Sequence, residues 1–235
     1  MTIPENSLKP DGSALSDAVP DQQVEAARYA VLRRLAPSLR HHMVRPLQPI
    51  GLIYGVMNHK LSAAQPDLQS VREEAEKINE FAKAALDECM DMGTWLAPEP
   101  GVLTDVESGV RECVGLMATM LHFCGFRLIN GVEELPALVL RDAMRMVLSA
   151  ALFELTDSMD EPATVSIQAE AGPVDVTVSL LVNSSGDSEL DRYDDGYRKL
   201  VWADVQALAL AEHVGLSRQD RQVNLRFAIE PASAP

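Results

Sequence analysis

Two adjacent histidines, His41 and His42, are the residues of this sequence best suited to chemistry. They lie in the stretch 38–50, inside a run of apolar residues spaced alternately three and four positions apart, which predicts a helix with one apolar seam facing a partner helix. The seam consists of Leu32, Leu35, Leu39, Met43, Leu47, Ile50, Tyr54, Met57 and Leu61. At about 100° per residue, His41 lies on the side away from this seam and His42 lies on its flank. We therefore predict that His41 is exposed to water.

The charge around these histidines is positive in an otherwise acidic protein. The chain has a formal net charge of -15, yet no Asp or Glu lies between Glu25 and Asp67. The same interval contains Arg28, Arg33, Arg34, Arg40, Arg45 and Lys60. An exposed imidazole among arginines suits reaction with an anion, such as phosphate, or with the acidic pocket of another protein. The alternative is a solvated basic helix face whose histidines have no function, and spacing alone leaves it open.

The stretch resembles the H-box of two-component sensor histidine kinases. That motif runs histidine, acid, apolar residue, two variable positions, proline and leucine, and His41, Met43, Pro46 and Leu47 stand at the matching places. The resemblance implies that His41 accepts a phosphoryl group. His42 departs from the pattern, because most of the family has Asp or Glu there, and that acid is the usual general base for attack on ATP.

Length and composition limit the class of protein. With 235 residues, 47% hydrophobic and 23% charged, the chain can bury a sizeable core in one or two soluble domains. Its acidity argues against nucleic acid as the main partner. No apolar run has the length of a membrane span, and no signal peptide is evident. Cys89, Cys113 and Cys124 lack metal-ligand spacing, so we predict core thiols in a reducing cytoplasm and no zinc site.

Two long helices are predicted in the first half of the chain. The first runs over 21–61 with Asp21 as a candidate cap, and prolines interrupt it at Pro37, Pro46 and Pro49. After a turn at 62–66, Asp67 caps the second helix. Its seam consists of Leu68, Val71, Ala75, Ile78, Ala82, Ala85, Cys89, Met92 and Leu96.

A hairpin of two helices cannot bury two one-sided seams alone. A homodimer that pairs two hairpins into a four-helix bundle would bury them, and this agrees with the dimerisation domain of the kinase family. The alternative is a hairpin packed on the second domain of the same chain.

The second half of the chain has a mixed α and β pattern, so the predicted fold class is α+β. We divide the sequence into a flexible tail 1–20, a helical hairpin 21–97, a linker 98–103, an α/β sandwich 104–230 and a tail 231–235. Thr104, with Glu107 in capping-box spacing, begins a helix that Gly125 ends. The other predicted elements are strands 126–129 and 138–140, helix 141–158, strands 164–169 and 174–182, a loop 183–196, helix 200–214 and strand 223–229.

This order resembles the ATP-binding domain of histidine kinases, but the motifs that hold ATP are missing. The family carries an Asn on its N-box helix for magnesium, and here Glu154 or Ser158 stands in that place, since no Asn occurs between Asn130 and Asn183. Where an Asp-x-Gly-x-Gly motif would follow, the chain reads Asn-Ser-Ser-Gly-Asp over 183–187, and Gly196 stands alone. These losses imply a domain that keeps the fold without the nucleotide.

The leading hypothesis is a histidine phosphotransferase of a phosphorelay, similar to the dimeric ChpT-like group built on degenerate kinase cores. His41 would carry the phosphoryl group between response-regulator receiver domains, while Arg40, His42 and Arg45 would bind the receiver or screen phosphate charge. A hybrid histidine kinase is a further candidate partner; nucleic acid and membrane are not. The protein would need no cofactor or metal of its own, because magnesium belongs to the receiver.

Two alternatives remain at this stage. The chain could be a non-catalytic pseudo-kinase that regulates a kinase or receiver by binding. It could also be an active histidine kinase with an atypical ATP site.

Overall fold

The computed structural model describes residues 14–97, 99–184 and 196–231. Within them, a helical hairpin stands on a mixed β-sheet that is covered by helices on one face. The first leg of the hairpin is α1 (Ala14–Val44), a single 3-10 turn (Arg45–Leu47) and α2 (Gln48–Leu61). Pro46 lies in that turn, where its missing amide donor interrupts the helical hydrogen bonds. The predicted interruption at the H-box is thus present, whereas Pro37 lies within α1 without ending it.

The second leg is α3 (Leu68–Leu96), and its cap is the predicted Asp67. The Asp67 carboxylate accepts hydrogen bonds from the amides of Gln69 and Ser70 at 3.1 and 3.2 Å. Near this end, Lys60 on α2 donates to Glu74 on α3 at 2.8 Å, and this hydrogen bond lowers the pKa of Glu74. The far end of the hairpin is therefore closed by polar contacts.

Two small sheets form the β part of the molecule. Strands β1 (Leu103–Asp105) and β3 (Leu138–Leu140) pair antiparallel. The larger sheet contains β2 (Phe126–Asn130), β4 (Ala163–Ala171), β5 (Asp175–Ser184), β6 (Gly215–Gln219) and β7 (Gln222–Ala228). Its order is β2-β4-β5-β7-β6, with β2 parallel to β4 and all other neighbours antiparallel.

Residues alternate between the two faces of this sheet, as strand geometry requires. Val165, Ile167, Val178 and Leu180 are fully buried and face the helical layer. That layer contains α4 (Val106–Phe123) and α7 (Trp202–Ala211). Between them in sequence lies a third helix, which consists of α5 (Arg141–Ala143), a π-helical turn (Met144–Leu148) and α6 (Ser149–Asp157).

Four local predictions are corrected by the structure. Helix α1 begins at Ala14, so 14–20, predicted as tail, are helical; 1–13 and the loop 185–195 lie outside the described residues. Thr104 pairs with Val139 in β1, so it cannot cap α4. The cap is Asp105, whose carboxylate accepts from the Ser108 amide at 2.8 Å, a hydrogen bond that lowers the pKa of Asp105. Helix α7 ends at Ala211, and 215–219 form the unpredicted strand β6.

The segment 27–39 of α1 belongs to the core of the sheet domain. Its buried side chains join one apolar cluster with α4, α6 and α7; they are Ala27, Ala30, Val31, Leu35 and Leu39. The alternative of a hairpin packed on its own second domain therefore describes this segment of α1. None of the described helices combines the length and apolarity needed to cross a membrane.

Leu35 provides a test of this packing. Leu35→Ala removes a fully buried side chain at the junction and is expected to lower the free energy of unfolding by about 2–5 kcal/mol. The matched control is Leu210→Ala on α7, where 77% of the residue is exposed, with an expected change of about 0.5 kcal/mol or less. Urea unfolding measures both, and equal effects would contradict the packing of α1 on the sheet domain.

Candidate functional site

His41 is exposed in the last turn of α1, just before the 3-10 turn that contains Pro46. Seven residues earlier, Arg34 lies on almost the same helix face, about 10 Å away along the axis. Arg34 is buried, with 7% of its surface exposed. The face of α1 that carries His41 is thus covered by the sheet domain at Arg34 and open two turns later.

Arg34 anchors α1 to the end of α6. Its guanidinium forms an ion pair with Asp157, whose carboxylate also accepts from the Leu200 amide at 2.8 Å. The Arg34 guanidinium lies over the Phe153 ring, 4.2 Å from its centroid. Both charged side chains are about 9% exposed, so each ion depends on the other for compensation.

The rim of the sheet domain borders the approach to His41. The guanidinium of Arg33, one residue before Arg34, lies 5.5 Å from the ring centroid of Tyr197. The segment 197–201 is held in place because Arg198 donates to both carboxylate oxygens of Asp204 at 2.9 and 3.1 Å. On this rim, Lys199 is exposed. The rim therefore meets α1 at Arg33, eight residues or about 12 Å along the axis from His41.

Arg40 and Arg45 flank His41 on the exposed surface. Neither forms an ion pair with any residue that the structure describes. Their guanidinium groups are thus available to an anion near His41.

His42 has a partner that sequence reasoning missed. Its Nδ1 lies 2.9 Å from Oε1 of Glu88 on α3, and both side chains are about one quarter exposed. The rings of His41 and His42 are nearly perpendicular, with centroids 6.2 Å apart. The carboxylate absent from position 42 is therefore supplied from the neighbouring helix.

The inner stripe of α3 differs from the predicted seam. Ala85 and Met92 are buried as expected, but Leu68 and Leu96 are 71% and 68% exposed. The buried stripe includes Glu74, Ala85, Met92 and Trp95. Glu88 falls three residues after Ala85 and four before Met92, which places an acid on this inner face. An acid inside such a stripe is the signal that could have identified it, because buried charges require partners.

A second anchor holds the other leg of the hairpin. Arg145, in the π-helical turn, is 1% exposed and donates to Glu112 at 3.1 Å through Nε and to Thr94 at 2.8 Å. Trp95 donates to the same Glu112 carboxylate at 2.8 Å, and the Arg145 guanidinium lies 4.8 Å from the Trp95 ring centroid. The end of α3 is thus fixed to α4 and to the π-helical turn.

The residues predicted to stand in the nucleotide site are engaged within the protein. Glu154 is 4% exposed and accepts hydrogen bonds from Arg218 on β6 at 2.8 and 3.0 Å. The Ser158 hydroxyl donates to the carbonyl of Leu155 at 3.0 Å. Among the described residues, no group of three or more His, Cys, Asp or Glu side chains could hold a metal ion.

Comparisons with known proteins give structural matches only. No protein-family model matches the sequence, and no curated protein matches it. A histidine kinase from Burkholderia phymatum is 11% identical with a TM-score of 0.43, over 80% of this chain and 98% of that one. The histidine kinase ThkA, solved in complex with the response regulator protein TrrA, is 15% identical with a TM-score of 0.40, over 93% and 67%. A bacterial phosphotransferase is 10% identical with a TM-score of 0.35, over 94% and 100%.

The Arg34 anchor can be tested by removing one charge. Arg34→Met leaves the Asp157 carboxylate buried without its counter-ion and is expected to lower the free energy of unfolding by about 3–5 kcal/mol. The control is Arg72→Met, which breaks the exposed pair Arg72–Glu76 and is expected to change it by about 1 kcal/mol or less. Urea unfolding measures both. A small effect of Arg34→Met would show that the pair does not hold α1.

Proposed function

We propose that this protein is a histidine phosphotransferase of a two-component phosphorelay. His41 takes the phosphoryl group from the aspartyl phosphate of one receiver domain and passes it to the aspartate of another. The observation that carries this proposal is the exposed imidazole of His41, set in an H-box-like stretch beside two arginines without acidic partners among the described residues.

The chemistry is a pair of in-line substitutions at phosphorus. A ring nitrogen of His41 forms a bond to the phosphorus, the bond from phosphorus to the aspartyl oxygen breaks, and the electron pair stays on the aspartate carboxylate. The reverse sequence on a second receiver regenerates the free imidazole. Both phosphorylated residues are reactive, so positioning supplies most of the catalysis. Arg40 and Arg45 are placed to screen the charge of the transferred group.

The charge of the surface supports a receiver domain as partner. His41 is exposed near the end of α1 beside the exposed Arg40 and Arg45, and the rim 197–201 of the sheet domain adds the exposed Lys199. A receiver domain presents an acidic pocket around its aspartate, and a basic surface in a chain of net charge -15 attracts such a pocket. Magnesium in this scheme is a component of the receiver.

Transfer without ATP is supported by the interior of the sheet domain. Glu154 or Ser158, depending on register, stands where the kinase family carries its magnesium-binding Asn; Glu154 is buried against Arg218, and the Ser158 hydroxyl donates to the Leu155 carbonyl. Asp157, one turn further on, is occupied by Arg34 of α1. Residues that would face a nucleotide are thus used for packing and for holding the hairpin.

A homodimer is the assembly that best accounts for the free part of the hairpin. Large apolar side chains on its two legs are at least 44% exposed in the single chain; they are Val44, Leu47, Leu52, Tyr54, Val56, Leu61, Leu68, Leu86, Met90 and Leu96. Among them, Leu47, Tyr54 and Leu61 recur every seven residues and form one stripe along the first leg, and an exposed apolar stripe marks a protein interface. A second hairpin would cover it in a four-helix bundle.

The phosphotransfer proposal is tested with receiver domains from the same organism, phosphorylated on their aspartates. Mixing with the wild type should give acid-labile, alkali-stable label on this protein. His41→Gln should abolish the label because the accepting nitrogen is gone. His59→Gln, which changes an exposed histidine on α2, is the matched control and should retain it.

Three outcomes are distinguished by this design. No transfer from any receiver of the panel to a folded wild type would overturn the proposal and leave a pseudo-kinase that acts by binding. Label retained in His41→Gln would overturn the role of His41. Label on the wild type from ATP alone would identify an atypical kinase.

The dimer is tested by sedimentation equilibrium. The wild type should have about twice its chain mass of 25.6 kDa. Tyr54→Asp should weaken the dimer by about tenfold or more, since Tyr54 lies on the seam and a charge cannot be buried unpaired in the bundle. Leu210→Asp is the control, because Leu210 is 77% exposed on α7, outside the hairpin. A monomeric wild type would contradict this prediction.

A further inference from the structure

We propose that Glu88 is a positioning residue for phosphoryl transfer, acting through His42. This inference rests on the proposed function of His41. Glu88 holds the His42 ring by its Nδ1–H, and Nε2 of His42 then donates a hydrogen bond to the phosphoryl group on His41.

The first support is the location of Glu88 on α3. It occupies the inner face between the buried residues Ala85 and Met92, where an apolar side chain would pack at no electrostatic cost. The matching position on α1 is occupied by His42, which is half-buried. A polar pair has thus replaced an apolar contact beside the predicted phosphoryl acceptor.

The second support is the geometry of the hydrogen bond. An ionised carboxylate only accepts, so the 2.9 Å contact places a hydrogen on Nδ1 of His42. The two nitrogens of an imidazole point in divergent directions, so Nε2 faces away from Glu88 and from α3. When Nε2 is also protonated, His42 is a cation whose free N–H can bind an anion.

The third support is the distance to His41. The two ring centroids are 6.2 Å apart, and the rings are nearly perpendicular. No hydrogen bond joins the two rings, and a phosphoryl group on His41 extends beyond its ring. The space between the rings is therefore suited to a bridging phosphoryl oxygen, held by a charge-assisted hydrogen bond.

A structural role is the competing explanation, and α3 offers a matched control. Glu74 lies on the same inner face, 14 residues or about 21 Å from Glu88, and it also pairs with the first leg of the hairpin, through Lys60. Glu88→Gln and Glu74→Gln remove the same charge from the same helix. Only the first lies beside His41.

The experiment uses phosphoramidate with the full chain, so it does not depend on any receiver. The His41 nitrogen bonds to phosphorus, the P–N bond of the donor breaks, and ammonia leaves. The initial rate of His41 phosphorylation is followed by mass spectrometry. Glu88→Gln should slow it about tenfold, the effect of losing one charge-assisted hydrogen bond. Glu74→Gln should leave it within about twofold.

A double-mutant cycle and a spectroscopic measurement complete the test. In a His42→Gln background, Glu88→Gln should change the rate by less than about twofold, because Glu88 acts through His42. Long-range ¹H–¹⁵N correlation spectra of the wild type should show hydrogen on both Nδ1 and Nε2 of His42, because Nε2 can donate only when it is protonated. This readout needs no activity.

Four results would overturn the proposal. The first is an unchanged rate in Glu88→Gln, and the second is equal losses of rate in Glu88→Gln and Glu74→Gln. The third is a tenfold loss from Glu88→Gln that persists in the His42→Gln background. The fourth is a neutral His42 with hydrogen on only one ring nitrogen. If no receiver transfers its phosphoryl group but the phosphoramidate rates change as expected, the phosphorelay is overturned. The role of the Glu88–His42 pair is then retained.

Discussion

The buried ion pair between Arg34 and Asp157 is the interaction on which the arrangement of this molecule depends. It ties a helix of the hairpin to the helical layer of the sheet domain, and the Phe153 ring packs against the same guanidinium. Burial of two charges is costly unless each compensates the other, so the pair tolerates little displacement. Since Arg34 lies two turns from His41 on one helix face, this constraint also fixes the position of His41 relative to the sheet domain.

The sheet domain serves the hairpin through side chains that face its interior. Glu154 is held by Arg218, Asp157 by Arg34 and the Leu200 amide, and Glu112 by Arg145 and Trp95. Each acid has a cationic partner from another element of the chain. Electrostatic compensation between elements therefore holds the helical layer, the sheet and the hairpin together.

Sequence periodicity predicted the parts of this structure that local chemistry determines. The exposure of His41 followed from the phase of the seam at Leu35 and Leu39, and the Asp67 cap followed from its type and position. What covers that seam did not follow, since Leu35 and Leu39 pack on the sheet domain of their own chain. Spacing shows that a face is apolar and leaves open which surface meets it.

The elements that were not predicted carry local signals for other structure. Thr104 of β1 has the spacing of a helix cap, and β6 contains one large apolar residue, Leu216; the partner of Glu154 lies on β6. The contact of Glu88 with His42 was not predicted, because the register between antiparallel helices determines which residues meet and that register is a tertiary property. His42 was recognised as a departure from the H-box, but its carboxylate lies 46 positions away in sequence.

The two anchors of the hairpin have a consequence for how this molecule could transmit information. Arg34 fixes one leg and Arg145 fixes the other, so the hairpin cannot pivot on the sheet domain without exposing buried charge. The two anchors therefore oppose a hinge motion between the hairpin and the sheet domain. On the proposed function, the signal is stored chemically, as the presence or absence of the phosphoryl group on His41. The direction of phosphoryl transfer is then set by how often each partner encounters the surface around His41 and by which partners are already phosphorylated.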